Sequence, residues 1–308
     1  MSQFLETFTA RTIWTPELIV VLAVISVIYL ALGRKYYYWF PEGKPVETRR
    51  IVYFHLGLLG IYLGFGGPLY VLGHIMLSMH MLSMAIVFLV TPPLLLIGIP
   101  AWFFRFFAHF SVIRGVFRVI GYPLIGLILF NALFSFYHLP FTFDFLMTNE
   151  GMHNVYQIGM LLAAMLMWWH IIPRLVTRFD MSELKRIGYM FASGVLFTPA
   201  CVLIIFAGDA IYATYTDPAV WAVAMAYCLP PGADIPYEVF SGEQSLTFLN
   251  NTYHDQQFGG AMMKIIQELA YGVAMGYTFR IWMKRDREET PKLELKEFEM
   301  YETSLPKA

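Results

Sequence analysis

The sequence predicts an all-α, polytopic membrane protein, a bundle of seven transmembrane helices with the N-terminus outside and the C-terminus inside. Three observations support this fold class. Of the 308 residues, 58% are hydrophobic and only 14% are charged, which is far more apolar than an ordinary soluble domain. Apolar stretches of about 20 residues, the length of a helix that crosses a bilayer, recur along the chain. Among the gaps between those stretches, only alternate ones contain Lys or Arg.

The apolar stretches define seven predicted spans, with approximate bounds of 14–33, 52–72, 75–99, 120–138, 153–172, 187–212 and 261–283. They form a predicted transmembrane domain over residues 1–283, with a long outer loop over 213–260 and a charged cytoplasmic tail over 284–308. No basic region and no small-residue cleavage pattern precede the first stretch, so we expect a retained helix there and not a removed signal peptide.

The positions of the basic residues predict the orientation. Lys and Arg lie between the first and second spans, the third and fourth, the fifth and sixth, and after the seventh. The other gaps contain none, and residues 187–263 hold six acidic residues without one basic residue. Because cytoplasmic loops are enriched in Lys and Arg, the basic gaps are assigned to the inside and the N-terminus to the outside.

Composition argues against several classes of function. A net charge of −1 gives no basic surface for nucleic acid. The two cysteines, Cys201 and Cys228, are far apart and form no CxxC spacing, which argues against a disulfide framework or a zinc module. Lys264 and Glu268 are four residues apart in the seventh span, so they form either an ion pair within the bundle or a gating or proton-handling group.

The third span carries a stripe of soft ligand types. Met76, His80 and Met84 recur every four residues, which places two thioethers and an imidazole on one helix face. Thioether and imidazole groups suit Cu(I). Methionine also fills gaps in apolar spans, so packing is the competing interpretation of this stripe. His80 differs from an interfacial anchor because an unpaired imidazole inside a span would cost a few kcal/mol.

The predicted topology sorts the eight histidines by side. His55, His109 and His170 lie near the inner ends of the spans, where no ligand cluster is evident. Five lie toward the outside: His74 and His80 in the first turns of the third span, His138 and His153 at the adjoining ends of the fourth and fifth, and His254 at the close of the outer loop. We expect His80, Met84 and His153 to be the principal metal ligands, with His138 and Met76 next.

Other polar residues of the outer side are candidates for orienting these ligands. Gln157 lies one helical turn after His153, and Asp255 follows His254 at the start of the seventh span. Carboxylates and amides commonly hold a ligating imidazole through its second nitrogen. We therefore assign Asp255, Gln157, His74 and His254 to a supporting shell around the ligands.

Three segments of the chain stand out: HMLSMAIVFLVTPPLLLIGIP (80–100), FSFYHLPFTFDFLMTNEGMHNVYQIGMLLAAMLMWWHIIPR (134–174) and DQQFGGAMM (255–263). They resemble the CtaG-type family of membrane cytochrome c oxidase assembly factors, in the branch that serves caa-type oxidases of Gram-positive bacteria. The resemblance covers nearly the whole chain. It implies a multi-pass protein of the bacterial plasma membrane that is not an enzyme and that helps assemble the copper-containing part of the oxidase.

The resemblance further implies oxidase subunits as partners, with the binuclear copper centre of subunit II as the destination and an extracytoplasmic copper donor as a further partner. Self-association stays open. Many relatives have a second His where this chain has Met84, and another where it has Gln157. Met in place of His keeps an affinity for Cu(I) but weakens Cu(II) binding, and Gln is a poor copper ligand.

These observations lead to one favoured hypothesis and three rivals. We expect a membrane assembly factor that holds Cu(I) transiently on its outer side. A metal-free scaffold that docks oxidase subunits is the first rival. A haem-binding oxidoreductase would need matched histidines deep in facing spans. A transporter of copper or another small solute would need polar groups that continue toward the inner side.

Overall fold

A computed structural model describes residues 8–172, 181–229, 232–240 and 251–304, and the side chains of these residues except those of 117, 238, 239 and 289–304. Every regular element within these ranges is helical. The predicted all-α class is therefore confirmed for the described chain. The chain is rich in apolar helices, and many of their large apolar side chains face outward, as in a membrane protein.

The described residues of the first half of the chain form nine α-helices, which are α1 (Ala10–Trp14), α2 (Pro16–Leu30), α3 (Thr48–Phe65), α4 (Gly67–Ile75), α5 (Leu77–Ala85), α6 (Thr91–Gly98), α7 (Ala101–Ala108), α8 (Ser111–Ile120) and α9 (Pro123–Tyr137). A π-helical turn, Ile86–Val90, joins α5 to α6, and another, Ala31–Lys35, follows α2 and precedes a short 3-10 turn, Tyr37–Trp39.

The described residues of the second half contain three long helices and several short ones. Its helices are α10 (Pro140–Met147), α11 (Glu150–Ile171), α12 (Glu183–Phe206), α13 (Ala213–Thr216), α14 (Pro218–Ala226), α15 (Tyr237–Phe240) and α16 (Thr252–Ser304). Helix α12 packs along α16, α16 along α5, and α9 between α11 and α12. The core between them consists mostly of Phe, Tyr, Met and Leu side chains.

Four helical stretches are long and apolar enough to cross a membrane: Ala10–Lys35, Thr48–Ile75, Leu77–Gly98 and Glu183–Phe206. A fifth is reached if α8 and α9, bent by 73° at their junction, count as one span. The predicted fifth and seventh spans are also helices, α11 and α16, but polar residues such as Gln157 and Lys264 dilute their apolar character. The described helices thus support four or five spans by length and composition, and seven spans and the orientation stay predictions.

Several predicted boundaries are corrected by the structure. Helix α9 has only 15 residues and ends at Tyr137. Helix α12 ends at Phe206, six residues before the predicted end of the sixth span. The second and third spans meet at Met76, whose backbone is extended, so His74 ends α4 and is not in the same helix as His80.

The break at Met76 leaves helix-end backbone groups that neighbouring segments satisfy. The carbonyl of Gly73 accepts a hydrogen bond from the Tyr215 hydroxyl, and the carbonyl of His74 accepts one from Trp221 Nε1 at 2.9 Å. On the other side of the break, the buried carboxylate of Asp255 accepts from the backbone N–H of Ser78 at 3.1 Å and from the Ser78 hydroxyl. Helix ends buried in an apolar bundle need such partners.

The close approach of α16 to α5 depends on a glycine. A Cβ atom on Gly259 would lie 2.9 Å from the Cα of Ser78, closer than van der Waals contact allows. Glycine at this position therefore lets the start of α16 reach α5, where Asp255 meets Ser78.

The Lys264 and Glu268 side chains form the ion pair, with 2.7 Å between Nζ and Oε1. Lys264 Nζ also donates to Gln267 Oε1 at 2.7 Å and to Thr198 Oγ1 at 3.1 Å. These three contacts use the three donors of the ammonium group, so the lysine charge is accommodated without a further partner.

We expect Gly98→Ala to lower the free energy of unfolding by about 1–3 kcal/mol, because overpacked contacts cost that much. A Cβ on Gly98 would lie 2.6 Å from the backbone nitrogen of Phe54, which cannot move without shifting α3. The measurement is unfolding of the purified protein in detergent by heat or denaturant.

Gly159→Ala is the matched control because no atom lies within 4 Å of the added Cβ. Replacing a helical glycine by alanine there should leave stability unchanged or raise it by about 0.5–1 kcal/mol. Equal stability of Gly98→Ala and the unmodified protein would contradict the close packing of α6 on α3.

Candidate functional site

Two of the predicted ligands meet at one buried hydroxyl group. The Tyr137 hydroxyl lies 3.0 Å from His80 Nε2 and 2.9 Å from His153 Nε2. Tyr137 ends α9, His80 lies in the first turn of α5 and His153 in the first turn of α11, and all three side chains are buried. The imidazole rings are 6.3 Å apart between centroids, and the Phe143 ring packs edge-on against His80. We call Tyr137, His80, His153, Gln157 and Met84 the bridged-histidine cluster.

The hydrogen bonds of this cluster are satisfied by two neutral imidazoles. A hydroxyl offers one proton and two lone pairs, so it can donate to one imidazole while accepting from the other. Gln157 Nε2 lies 2.9 Å from His153 Nε2, which makes that nitrogen the acceptor. His80 then donates through Nε2 to the Tyr137 oxygen, and the Tyr137 O–H shares the single lone pair of His153 Nε2 with the Gln157 amide. A metal ion would bind these two nitrogens only after those hydrogen bonds break and His80 Nε2 gives up its proton.

Met84 reaches the cluster through Gln157. The Gln157 amide nitrogen lies 3.8 Å from the Met84 sulfur, and both side chains are buried. Gln157 thus contacts one candidate ligand on α11 and another on α5. The sequence predicts Gln157 as a support for His153, and the structure places the two side chains in contact. The contact is to His153 Nε2, which is the nitrogen that a metal would use.

His138 lies beside the cluster without bonding to it. Its Nδ1 donates to the Phe134 carbonyl at 2.7 Å, which leaves Nε2 with a lone pair. That Nε2 is buried, and within the described chain it has no hydrogen-bond partner. The ring lies 5.3 Å from the Tyr137 ring, edge to face. A histidine with one nitrogen fixed on a carbonyl and the other free has the form of a prepared ligand.

The side chains of the remaining candidates on α4 and at the break have no described hydrogen bond to the cluster. His74 Nδ1 hydrogen bonds to the Tyr70 carbonyl at 3.0 Å, and its ring packs on the Tyr70 ring. Met76 is buried at the break itself, in extended backbone. His74 is thus separated from His80 by the break, whereas Met76 caps the start of α5 and its carbonyl accepts the backbone N–H of His80 at 3.2 Å. The spacing of a single helix could not show this difference.

The two candidates at the start of α16 behave differently from each other. The Asp255 carboxylate contacts Ser78 and not an imidazole, so its effect on His80 is exerted through the first turn of α5. His254 is exposed, and its described hydrogen bond is a 3.5 Å contact from Nδ1 to Gln257. His254 therefore does not support the cluster in this conformation.

Within the described residues, no group of three or more His, Cys, Asp or Glu side chains is arranged to hold a metal ion. The bridged-histidine cluster has two imidazoles, and its third soft donor is a thioether. Two nitrogens and one sulfur form a donor set for Cu(I), and the absence of a carboxylate makes the set unsuitable for Mg²⁺ or Ca²⁺.

A second buried polar group lies deeper in the bundle. The Ser193 hydroxyl contacts the Tyr271 hydroxyl at 2.9 Å and the Met167 sulfur at 3.1 Å, and Asn131 Nδ2 donates to Ser193 at 3.1 Å. These side chains join α9, α11, α12 and α16, as polar groups do between membrane helices. No described hydrogen bond connects this group to the bridged-histidine cluster.

Cys228 lies in a separate apolar cluster with Trp221 and Val71. Burial raises the pKa of the Cys228 thiol to about 12. The thiolate is the form that binds metal, so the buried Cys228 is a poor copper ligand at neutral pH. Cys201 is also buried and free.

Sequence patterns did not identify Tyr137, the residue at the centre of the cluster. It is one of 19 tyrosines, and its position next to His138 carries no spacing signal. Sequence patterns also missed the structural role of Asp144, whose carboxylate accepts hydrogen bonds from the backbone N–H groups of Ala213 and Thr214 at 3.0 and 2.9 Å. An acidic residue in a gap without basic residues was the one available signal for Asp144.

We expect Tyr137→Phe to destabilise the protein by about 1–3 kcal/mol, since it leaves two buried imidazoles without their shared partner. Tyr189→Phe is the matched control because the Tyr189 hydroxyl is buried and has no hydrogen-bond partner in the described structure. Removing it should be neutral or stabilising. Thermal unfolding in detergent measures both variants, and equal losses from the two would argue against the bridging role of Tyr137.

Comparison with known families gives one match. The family model described as "Cytochrome c oxidase caa3 assembly factor (Caa3_CtaG)" matches residues 10–285, which include the bridged-histidine cluster. Comparisons with curated proteins and with solved structures gave no match.

Proposed function

Because this chain belongs to the family of cytochrome c oxidase caa3 assembly factors, we propose that it assists the insertion of copper into a caa-type oxidase. Family membership implies oxidase subunits as partners and supports a role in assembly. The proposed cargo is Cu(I), and the proposed destination is the binuclear copper centre of subunit II. The bridged-histidine cluster is the proposed holding site.

The observation that carries this proposal is the convergence of His80 and His153 on one hydroxyl group. Both Nε2 atoms lie at hydrogen-bonding distance from the Tyr137 oxygen, although their α-carbons are on different helices and far apart in sequence. Packing alone does not require two buried imidazoles to face each other in an apolar bundle. Their polar surface would cost several kcal/mol there without the shared partner.

The chemistry of the donors favours a soft, monovalent cargo. His80 and His153 would supply nitrogen ligands and Met84 a sulfur ligand, and none of them brings a negative charge. Cu(I) accepts such neutral, low-coordinate donor sets. His138 follows Tyr137 in the chain, and its Nε2 has no hydrogen-bond partner among the described residues. It is the next candidate ligand, for a copper ion that enters or leaves the cluster.

Burial of the cluster suits a transient holding site. His80, His153 and Met84 are each at most 4% exposed, so an ion held there would be shielded from water and oxidants. Loading and release then require Tyr137 to give up its hydrogen bonds. The energy of those bonds sets a modest barrier to exchange, of about 1 kcal/mol each in net terms.

The side of the membrane follows from the charge distribution. The cluster lies at the ends of α5, α9 and α11 that adjoin loops without Lys or Arg, which are assigned to the outside. The binuclear copper centre of subunit II also lies on the outer face. Cargo and destination would therefore be on the same side.

The structure offers less support for the rival functions. A haem between His80 and His153 would need an open slot, and the Tyr137 hydroxyl fills that space. A copper transporter would need a polar path to the inner side. The deeper Ser193 group is polar, but on α9 the apolar ring of Phe134, stacked on Phe197, lies between Asn131 of that group and Tyr137.

We expect His80→Ala and His153→Ala each to weaken Cu(I) binding at least about tenfold, since loss of even a supporting residue costs that much at metal sites. Met84→Leu, which keeps the volume and removes the sulfur, should weaken binding in the same direction. The measurement is an anaerobic titration of the purified protein with Cu(I) against a chromophoric chelator.

Met81→Leu is the matched control, because Met81 is a fully buried methionine on the same helix and lies outside the cluster. It should bind copper like the unmodified protein. Equal copper content in the unmodified protein and in the double variant His80→Ala/His153→Ala would refute the holding site. If that double variant also restored a copper-loaded oxidase to cells lacking this protein, the metal-free scaffold would be the better account.

We expect Met152→Cys to react with a membrane-impermeant thiol reagent in intact cells, and Lys284→Cys to react only after lysis. Met152 is exposed beside His153, and Lys284 is exposed beyond the predicted inner end of the seventh span. The native cysteines are buried and give a low background. The reverse labelling pattern would place the cluster on the cytoplasmic side.

A further inference from the structure

We propose that a lateral groove at the opposite end of the bundle binds one anionic phospholipid, with the phosphate at Arg49 and an acyl chain along the helices. This inference is independent of the copper proposal, because the groove shares no residue with the bridged-histidine cluster. It rests on the shape of the groove, the charge at its end and the size of what it can hold.

The groove has a volume of about 590 Å³ and runs between α3, α6, α11 and α16. Its walls are mostly apolar and include Leu94 and Ile97 from α6 and Ile266 and Leu269 from α16. It opens to the side of the bundle, where hydrocarbon chains lie in a membrane. Lipid chains therefore have direct access to it.

One end of the groove carries a cation. Arg49, in the first turn of α3, lines the groove together with Tyr53 and Tyr277. The guanidinium donates to the Tyr53 hydroxyl from Nε at 3.4 Å and from Nη2 at 3.2 Å and lies 5.5 Å from the centre of the Tyr53 ring. Tyr53 thus holds the arginine at the mouth of the groove.

Arg49 has no acidic partner in direct contact among the described residues, and Glu47, the acid that acts on it at longer range, does not line the groove. Arg49 forms no ion pair in the described part of the chain, and no acidic side chain is among the described residues that line the groove. A guanidinium has five N–H donors, and the two bonds to Tyr53 leave the others available. A phosphate group is the partner that such a fork of donors matches best.

Size distinguishes a lipid chain from a helix of another protein. A helix 10–12 Å in diameter fills about 420–610 Å³ for each turn of 5.4 Å, so the groove would hold only about one turn. A bent acyl chain fits a narrow volume of this kind. Basic pockets between transmembrane helices at the cytoplasmic side are a known type of site for anionic lipid headgroups.

The test is native mass spectrometry of the purified full-length protein in detergent, titrated with palmitoyl-oleoyl phosphatidylglycerol or with the matching phosphatidylcholine. We expect a preference of about fivefold for phosphatidylglycerol, the effect of one basic residue near a lipid surface. Arg49→Gln should abolish this preference, and Arg49→Lys should keep most of it.

Two further variants separate the headgroup from the chain. Arg118→Gln removes an exposed arginine that does not line the groove and should change nothing. Ala270→Trp fills the groove and should weaken binding of both lipids at least about fivefold, with Ala274→Phe as a smaller substitution for the same purpose. Elution as a single species from size-exclusion chromatography shows that each variant is folded.

Three results would overturn the proposal. They are an equal affinity for both lipids in the unmodified protein, an unchanged preference in Arg49→Gln, and unchanged lipid binding in both groove-filling variants. Copper binding measured on the same variants is expected to be unaffected, so loss of the lipid site and loss of the copper site give separate outcomes.

Discussion

The contact between the Asp255 carboxylate and Ser78 holds the position of the whole candidate site. Between α4 and α5 the helix is interrupted at Met76, inside an apolar bundle. The backbone N–H and C=O groups at these helix ends need hydrogen-bond partners from the protein, because the hydrocarbon interior of a membrane provides none. Asp255 takes the N–H at the start of α5, and Tyr215 and Trp221 take the carbonyls at the end of α4. Without these partners the unpaired backbone groups at the break would destabilise the fold by several kcal/mol. The start of α5 would then no longer be held in place, and His80, two residues after Ser78, would no longer point toward Tyr137.

Every buried polar group needs a partner inside the protein. The same requirement explains how the segment after α12 is attached to the bundle. Asp144 on α10 binds the backbone of α13, and the Tyr212 hydroxyl donates to the carbonyl of His138. These bonds tie residues of the predicted outer loop to the bundle. They also bring loop side chains to the break at Met76 and close the end of the bundle over the bridged-histidine cluster.

The cluster and the groove use the bundle in opposite ways. In the cluster, neutral donors are buried and hydrogen bonded to one another, so they can accept a soft cation without a large change in charge. In the groove, a single cation lies at the mouth of an apolar channel and stays without an acidic partner. A holding site in the first and a lipid contact in the second would place metal handling and membrane anchoring at different ends of one molecule.

The sequence by itself determined the helical membrane class, the family and the principal candidate ligands, because hydrophobic length, soft side chains and segment similarity are local properties. His80, Met84, His153 and Gln157 could be identified by helical spacing and side. Tyr137 could not, since its role depends on three helix ends meeting at one point, and neither could the separation of His74 from His80 by the break at Met76. Only the tertiary structure decided these points, because long-range contacts such as that between Asp255 and Ser78 set the direction of each helix end.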